Sequence, residues 1–338
     1  MTEDEDDGED GLKPGDEEDE PEGAVFPGLR ILKEAVGRSK MHPIPVIRIE
    51  DRDSAPWTLI TEDMVGEPSW LHAGVTRTRV PYIRANGKRV RRDRLDVPES
   101  FGAGVLCLID RNGSFPSACS AVPLAPNELK RTGPLDAYDK AKAGIYLIDI
   151  PAWNRTDMPH PLGQILAAPD DEGRVWVSTP HIRLLARLVR ERHLDAMPTI
   201  HDSWTGRANE SLFKPFYEAT KQARAELVEA GGAPYKAYKT RLSIALRLLW
   251  PKRAEQKSPF WRPDWRVSMV AEAEVRHWIM AFTAVLAGHT LVALRNVDLA
   301  IFWTPPGTPP DTYRIGTGFG EVKAKYVLSG EIIPEGDD

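Results

Sequence analysis

The chain has 338 residues, 41% of them hydrophobic and 28% charged, with only two cysteines. That length suits one large domain or two modest ones with a sizeable core, and no run of 18 or more apolar residues offers a membrane span. Cys107 and Cys119 have no Cys or His at zinc spacing, which argues against a zinc site or a disulfide framework, and an N-terminus without a basic-then-apolar start predicts a cytoplasmic protein.

The net charge of -6 hides two populations. Residues 1–22 carry 13 acidic groups and one lysine, a net of -12. Subtracting them from the 44 basic and 50 acidic residues of the whole leaves 43 and 37, a body of net charge +6. The leader holds only Met1 and Leu12 as large apolar residues and cannot bury a core of its own, so it reads as disordered. It is a solvated tail or, in a sharper reading, an acidic cover for the basic body.

Residues 23–100 form a mixed segment in which Pro43, Pro45, Pro56, Pro68 and Pro81 oppose long helices. Asn86-Gly87 between Val80–Ile83 and Lys88–Val90 predicts a β-hairpin. Arg77, Arg79, Arg84, Lys88, Arg89, Arg91, Arg92 and Arg94 crowd it. Such a patch is either a solvated surface or a contact for nucleic-acid phosphates.

Gly104-Val-Leu-Cys-Leu-Ile109 then reads as a buried strand, ending in a turn at Asp110-Arg-Asn-Gly113. Further strands are expected at Gly144–Ile150 and Arg174–Thr179. Helical patterns follow at His181–Arg192, Ser211–Ala230, Tyr235–Leu249 and Val267–Ala287, the last stopped by Gly288. Leu291–Leu294 and Leu299–Trp303 flank Arg295-Asn296-Val297-Asp298 as a tight hairpin, and a Gly-rich then basic segment closes at Gly316–Tyr326.

Two acidic residues, Asp110 and Asp298, thus stand at strand ends 188 positions apart. An Asp after a strand is ordinary turn chemistry. Two carboxylates on neighbouring strands are also what divalent-ion phosphoryl chemistry requires. The Gly316-Thr-Gly-Phe-Gly320 run is not placed between a strand and a helix, so it does not fit a phosphate loop. His201-Asp202 reads as structural. Trp261 and Trp265 alternate with arginines, as core residues or as platforms for unpaired bases.

Asp110-Arg-Asn-Gly-Ser-Phe-Pro-Ser117 resembles motif A of the family B DNA polymerases, an Asp followed by Ser-Leu-Tyr-Pro-Ser. Leu294-Arg-Asn-Val-Asp-Leu299 resembles motif C, Tyr-x-Asp-Thr-Asp-Ser. Tyr238-Lys-Thr-Arg-Leu-Ser-Ile-Ala-Leu246 is the candidate motif B, and Thr317-Gly-Phe-Gly-Glu-Val-Lys323 resembles the segment after the palm. By motif order the likeness is to protein-primed enzymes of phages and linear plasmids, over roughly residues 100–326.

The resemblance implies an α/β (α+β) fold: a palm-like antiparallel sheet with helices on one face and a helical fingers insertion. It divides the body into a first palm part at 101–210, fingers-like helices at 211–266, and a second palm part with a vestigial thumb at 267–338. Asp110 and Asp298 would hold two Mg²⁺ or Mn²⁺ ions. Phe115 would exclude a 2'-hydroxyl by bulk. Lys239, Ser243, Arg241 and Lys221, with Arg224 beside them, would contact the incoming dNTP. The hairpin arginines, Lys88 and Lys323 would meet DNA.

Three departures temper the implied activity. Asn296 replaces the first motif C aspartate, Leu246 and Arg247 replace the Tyr and Gly of motif B, and neither an exonuclease nor a full thumb is expected. Two functions follow: nucleotidyl transfer to a primer 3'-hydroxyl, or a degenerate polymerase that only binds DNA at replicon ends or in a mobile element. A protein partner would replace the thumb.

Overall fold

The computed structural model describes residues 52–66, 69–84, 87, 89–230 and 261–334, with positions 232, 233, 235, 236, 238, 239, 242, 249 and 250. The acidic leader, Lys88, Arg241, Ser243, Leu246 and Arg247 lie outside the described residues.

The strands are β1 (Ser69–Leu71), β2 (Thr76–Ile83), β3 (Arg89–Asp96), β4 (Val105–Arg111), β5 (Lys130–Arg131), β6 (Lys142–Asp149), β7 (Arg174–Ser178), β8 (Ile200–Arg207), β9 (Thr290–Arg295), β10 (Leu299–Thr304) and β11 (Val322–Val327). Helices are α1 (Ser114–Ala118), α2 (Thr179–Arg190), α3 (Lys214–Ala230) and α4 (Pro263–Leu286). Tyr235, Lys236, Tyr238, Lys239 and Leu242 lie in further helical turns after α3.

Five strands in the order β1-β9-β10-β4-β11 make an antiparallel sheet. Strand β4, held between β10 and β11, is buried on both faces, which is why its sequence is a continuous apolar run rather than an alternating one. Cys107 and Ile109 join Leu294, Ala300 and Phe302 against Val275, Trp278 and Phe282 of α4. Leu106 and Leu108 turn the other way, into a cluster with Val292, Ile301 and Leu95. One face therefore carries α4, and the base of the β2–β3 ribbon packs on the other.

The strands expected at Gly144–Ile150 and Arg174–Thr179 form as β6 and β7, in a second, four-stranded sheet of order β5-β8-β6-β7. Its tight centre is Gly144, where a Cβ would lie 1.9 Å from the Trp204 carbonyl oxygen. Helix α2 joins the two sheets, because Ile182, Leu185 and Leu188 share one core with Tyr146, Val177 and Trp278. The helix expected from Val267 begins earlier, with Pro263 in the first turn where its missing N–H costs nothing.

Of the two readings of Trp261 and Trp265, core residues or base-stacking platforms, the structure supports the core. Both are buried, at 7% and 1% exposure. Trp265 donates its indole N–H to the Ala125 carbonyl at 2.8 Å and meets Phe213 edge-on, while Trp261 packs on Trp57. Arg262 between them is no surface cation either. It is 4% exposed, pairs with Asp264 at 2.7 Å and donates to the carbonyls of Ala125 and Pro126.

Candidate active site

Strand register brings the two aspartates together. Leu299 of β10 lies opposite Asp110 of β4, and the Arg111 N–H donates to the Asp298 carbonyl oxygen at 2.9 Å. Asp110 therefore sits within its strand rather than in the turn after it. Asp298 closes the β9–β10 turn, which passes through Asn296 at φ 52, a left-handed conformation that asparagine tolerates better than most residues.

Residues directly opposite on antiparallel strands share a face. One row consequently crosses the sheet: Ser69, Arg295, Leu299, Asp110 and Lys323. The next row places Lys325 opposite Leu108. Asp110, Lys323 and Lys325 thus occupy the face away from α4.

A cavity of about 340 Å³ opens on that face. Asp110, Asp298 and Asn296 line it together with Lys239, Lys323, Lys325 and Arg224. Two carboxylates among five basic residues, Arg111 included, suit a ligand that brings several negative charges of its own. Lys239 comes from the turns after α3, with its ammonium 5.6 Å from the Tyr235 ring centre.

Arg224 has more to do than touch a ligand. It is 7% exposed, and its guanidinium donates to the Thr317 carbonyl at 2.8 Å and to Asn112 Oδ1 at 3.2 Å, between the rings of Tyr235 and Phe319. Asn112 in turn donates to the carbonyls of Gly316 and Glu321. Helix α3, the turn after β4 and the 316–321 loop are therefore tied at one point.

The Gly-rich loop is closed around an internal anion. The Gly318 N–H donates to Glu321 Oε2 at 2.8 Å, Arg314 pairs with the same carboxylate at 3.0 Å, and a Cβ at Gly316 would collide with it. This occupancy explains in physical terms why the loop is no phosphate cradle.

Arg111, beside the first aspartate, is buried at 5% exposure. It donates to Ser117 Oγ at 3.2 Å and to the Ala273 carbonyl at 3.4 Å. Burial, then the nearby Arg276, lower its pKa to about 10, which leaves it charged at neutral pH. Gly113 ends this turn at φ 56, where a Cβ would lie 2.5 Å from the Phe319 ring.

Other expected residues are placed less centrally. Phe115, in α1, is half-buried beneath the Arg266 guanidinium at 5.0 Å and is not among the cavity-lining residues. Lys221 is exposed on α3 and does not line the cavity either. His201 hydrogen-bonds to Asp149 at 2.7 Å and does not line the cavity.

The hairpin forms as an eight-on-eight residue ribbon, longer than expected. Arg92 and Arg94 have partners within the protein: Arg92 lies 4.5 Å over Tyr82 and donates to the Ile333 carbonyl, and Arg94 pairs with Asp96. Arg77, Arg79, Arg89 and Arg91 are exposed, and Arg84 is half-buried.

Arg111, Asn112, Tyr235 and Lys325 were not anticipated as site residues. Lys325 had a signal, since Lys323 and Lys325 alternate along a strand and so share a face. The others depend on tertiary contacts that no local pattern encodes.

No family model matches the chain, and no curated protein matches it by sequence. Its fold is similar to that of phi29 DNA polymerase. With that enzyme bound to primer-template DNA in a post-translocation binary complex, the TM-score is 0.53 at 13% identity, over 87% of this chain and 51% of the polymerase. With its ternary complex with primer-template DNA and incoming nucleotides, the TM-score is 0.54 at 13% identity, over 88% and 51%. With its complex with single-stranded DNA, the TM-score is 0.51 at 11% identity, over 92% and 56%. The chain spans about half the length of the polymerase it matches, and its fold is polymerase-like.

Proposed function

We propose that this chain handles DNA at its palm-like sheet, and that the cavity carries nucleotidyl transfer, adding a dNTP to a primer 3'-hydroxyl. The observation that carries the proposal is the register. Two aspartates 188 positions apart come to neighbouring strand ends, in one cavity with Lys239, Lys323 and Lys325.

The donor set fits a hard divalent ion of a particular kind. Among the described residues no group of three or more His, Cys, Asp and Glu could hold a metal. Mg²⁺ commonly binds through one or two carboxylates and completes its shell with water and substrate phosphate. Asp110 and Asp298 match that mode, so Mg²⁺ or Mn²⁺ would be held fully only together with a nucleotide. When bound, such an ion supplies charge neutralisation at the phosphate oxygens.

The protein's own groups supply the rest. Lys239 approaches from the helical side and would pair with the triphosphate. Lys323 and Lys325 would hold phosphates along the β11 side. Arg111 and Asn112 fix the backbone next to Asp110, so its carboxylate is held in place before substrate arrives. Phe115 would act as the sugar-selecting wall only if Arg266 and the chain around it shift, because it stands behind the cavity lining.

A second reading is a DNA-binding relative without catalysis, and Asn296 favours it. Asn296 lines the cavity where the family pattern has a carboxylate, and a neutral amide binds a divalent ion far less well. Primer extension with Mg²⁺ or Mn²⁺ separates the two. Extension by the wild type that is lost in Asp110→Ala and in Asp298→Ala supports catalysis. Salt-sensitive DNA binding without extension, kept in both variants, supports the second reading.

A further inference from the structure

The ribbon carries its arginines in a geometric order. Reading up from its base, the paired rows are Arg77 with Leu95, Arg79 with Asp93, Pro81 with Arg91, and Ile83 with Arg89. Each row holds one arginine, and opposite residues share a face, so the four guanidinium groups form a ladder on one side. Arg92 and Arg94 belong to the other side, with Val80 and Thr78.

The base of the ribbon shows where the ladder side points. Leu95 is fully buried with Leu106 and Leu108, on the sheet face that bears Asp110. Asp93 pairs at 2.7 Å with Arg295, which stands in the same cross-sheet row as Asp110. Burial lowers the pKa of Arg295, and the nearby charges of Arg77 and Arg79 push it the same way while Asp93 opposes. Those two arginines therefore lie on the Arg295 side. From the Asp93 row, four more residues of β3 carry the ribbon about 14 Å farther, to Arg89.

The spacing suits a particular ligand. An antiparallel strand rises about 3.4 Å per residue, so the ladder rows follow at about 7 Å. An axial rise of about 3.4 Å together with the winding of the backbone sets adjacent phosphates of one duplex strand about 7 Å apart, so consecutive phosphates match successive rungs. At the tip, Ile83 is 63% exposed and adds a small apolar surface on the same side, opposite Arg89.

We infer that Arg77, Arg79, Arg89 and Arg91 form a phosphate rail, gripping one backbone of a DNA duplex beside the two aspartates. The inference rests on the DNA-handling reading above and adds to it the element, the face and the duplex form. Arg92 and Arg94 hold the ribbon together instead of touching the ligand.

The test is the salt dependence of binding to a primer-template duplex, to a blunt duplex and to a single strand of equal length, with folding checked by circular dichroism. Arg79→Gln/Arg91→Gln should reduce the slope of log K against log salt on both duplexes by about two, one for each lost phosphate contact. Arg190→Gln, a charge removal on the exposed end of α2, should leave the slope unchanged. Unchanged slopes in the double variant, with wild-type DNA binding intact, would overturn the rail and leave the DNA-handling reading standing. So would a loss confined to the single strand, or an equal loss in Arg92→Gln. A wild type that binds none of the three DNAs at low salt would overturn both.

Discussion

Replacing Arg224 with Met should unlock the wall of the cavity while keeping the length of the side chain. The guanidinium satisfies the Thr317 carbonyl and Asn112 Oδ1, at 2.8 and 3.2 Å, in a place 7% exposed. Leaving the buried Asn112 acceptor without its donor costs about 1–3 kcal/mol, whereas the Thr317 carbonyl, on an exposed residue, can turn to water and adds less. Loss of the cation over the Tyr235 and Phe319 rings adds about 0.5–2 kcal/mol, partly offset by the better burial of a thioether. A net loss of about 2–4 kcal/mol follows, large for a protein whose whole stability is of order 5–15. Urea unfolding reads it as a lower midpoint with an unchanged slope. Arg224→Lys should recover little, because an ammonium cannot reach two acceptors in a planar fork. A loss below about 1 kcal/mol in Arg224→Met would refute the idea that this residue is a structural tie, and would favour a role confined to ligand phosphates.

Gly144→Ala should fail to fold or lose several kcal/mol, because its Cβ would strike backbone rather than a movable side chain; thermal melting measures it. Gly113→Ala should combine strain at φ 56 with a clash on Phe319, lowering both stability and primer extension, whereas Gly87→Ala, at φ 79 in open space, should cost only the backbone strain of about 1 kcal/mol. Mn²⁺ titration by calorimetry should show weak binding to the free protein and tighter binding with dNTP present, and Asp110→Asn or Asp298→Asn should abolish the difference. His277 is fully buried, and burial, with Arg111 nearby, lowers its pKa to about 3. The unfolded chain takes up this proton below about pH 6.5 while the folded one does not, so stability falls as pH drops from 6.5 toward 3. Between pH 7 and 5 the loss from this group is about 2 kcal/mol, and His277→Phe should flatten that part of the urea-midpoint profile.

The sequence made the carboxylate pair legible for a reason that is partly local. Strand, turn and aspartate are written side by side at 104–113 and again at 291–299, so both site strands could be placed. Their adjacency depended on the resemblance, because register over 188 residues leaves no trace in local pattern. Strand β8 escaped notice since His201, Asp202, Thr205 and Arg207 make it look like a polar loop, although it is paired with both β5 and β6. Strand β11 hid behind its lysines for the same reason. For Trp261 and Trp265 the core reading holds and the stacking alternative does not: Arg262 between them is buried with its own carboxylate and carries Trp265 inward. The charge of a residue type says less about exposure than whether a partner waits in the fold.

Glu321 has a consequence for how much the site must reorganise on binding. Because the 316–321 loop already folds around its own carboxylate, and that loop holds Asn112 by Gly320 N–H donation to the Asn112 carbonyl at 2.9 Å, one side of the cavity is set without any ligand. A nucleotide arriving there would not need to order that wall, and the entropy of doing so would not be charged against its affinity. Loss of Glu321 would transfer that cost to the binding step, so affinity would weaken with no contact to the ligand having been removed.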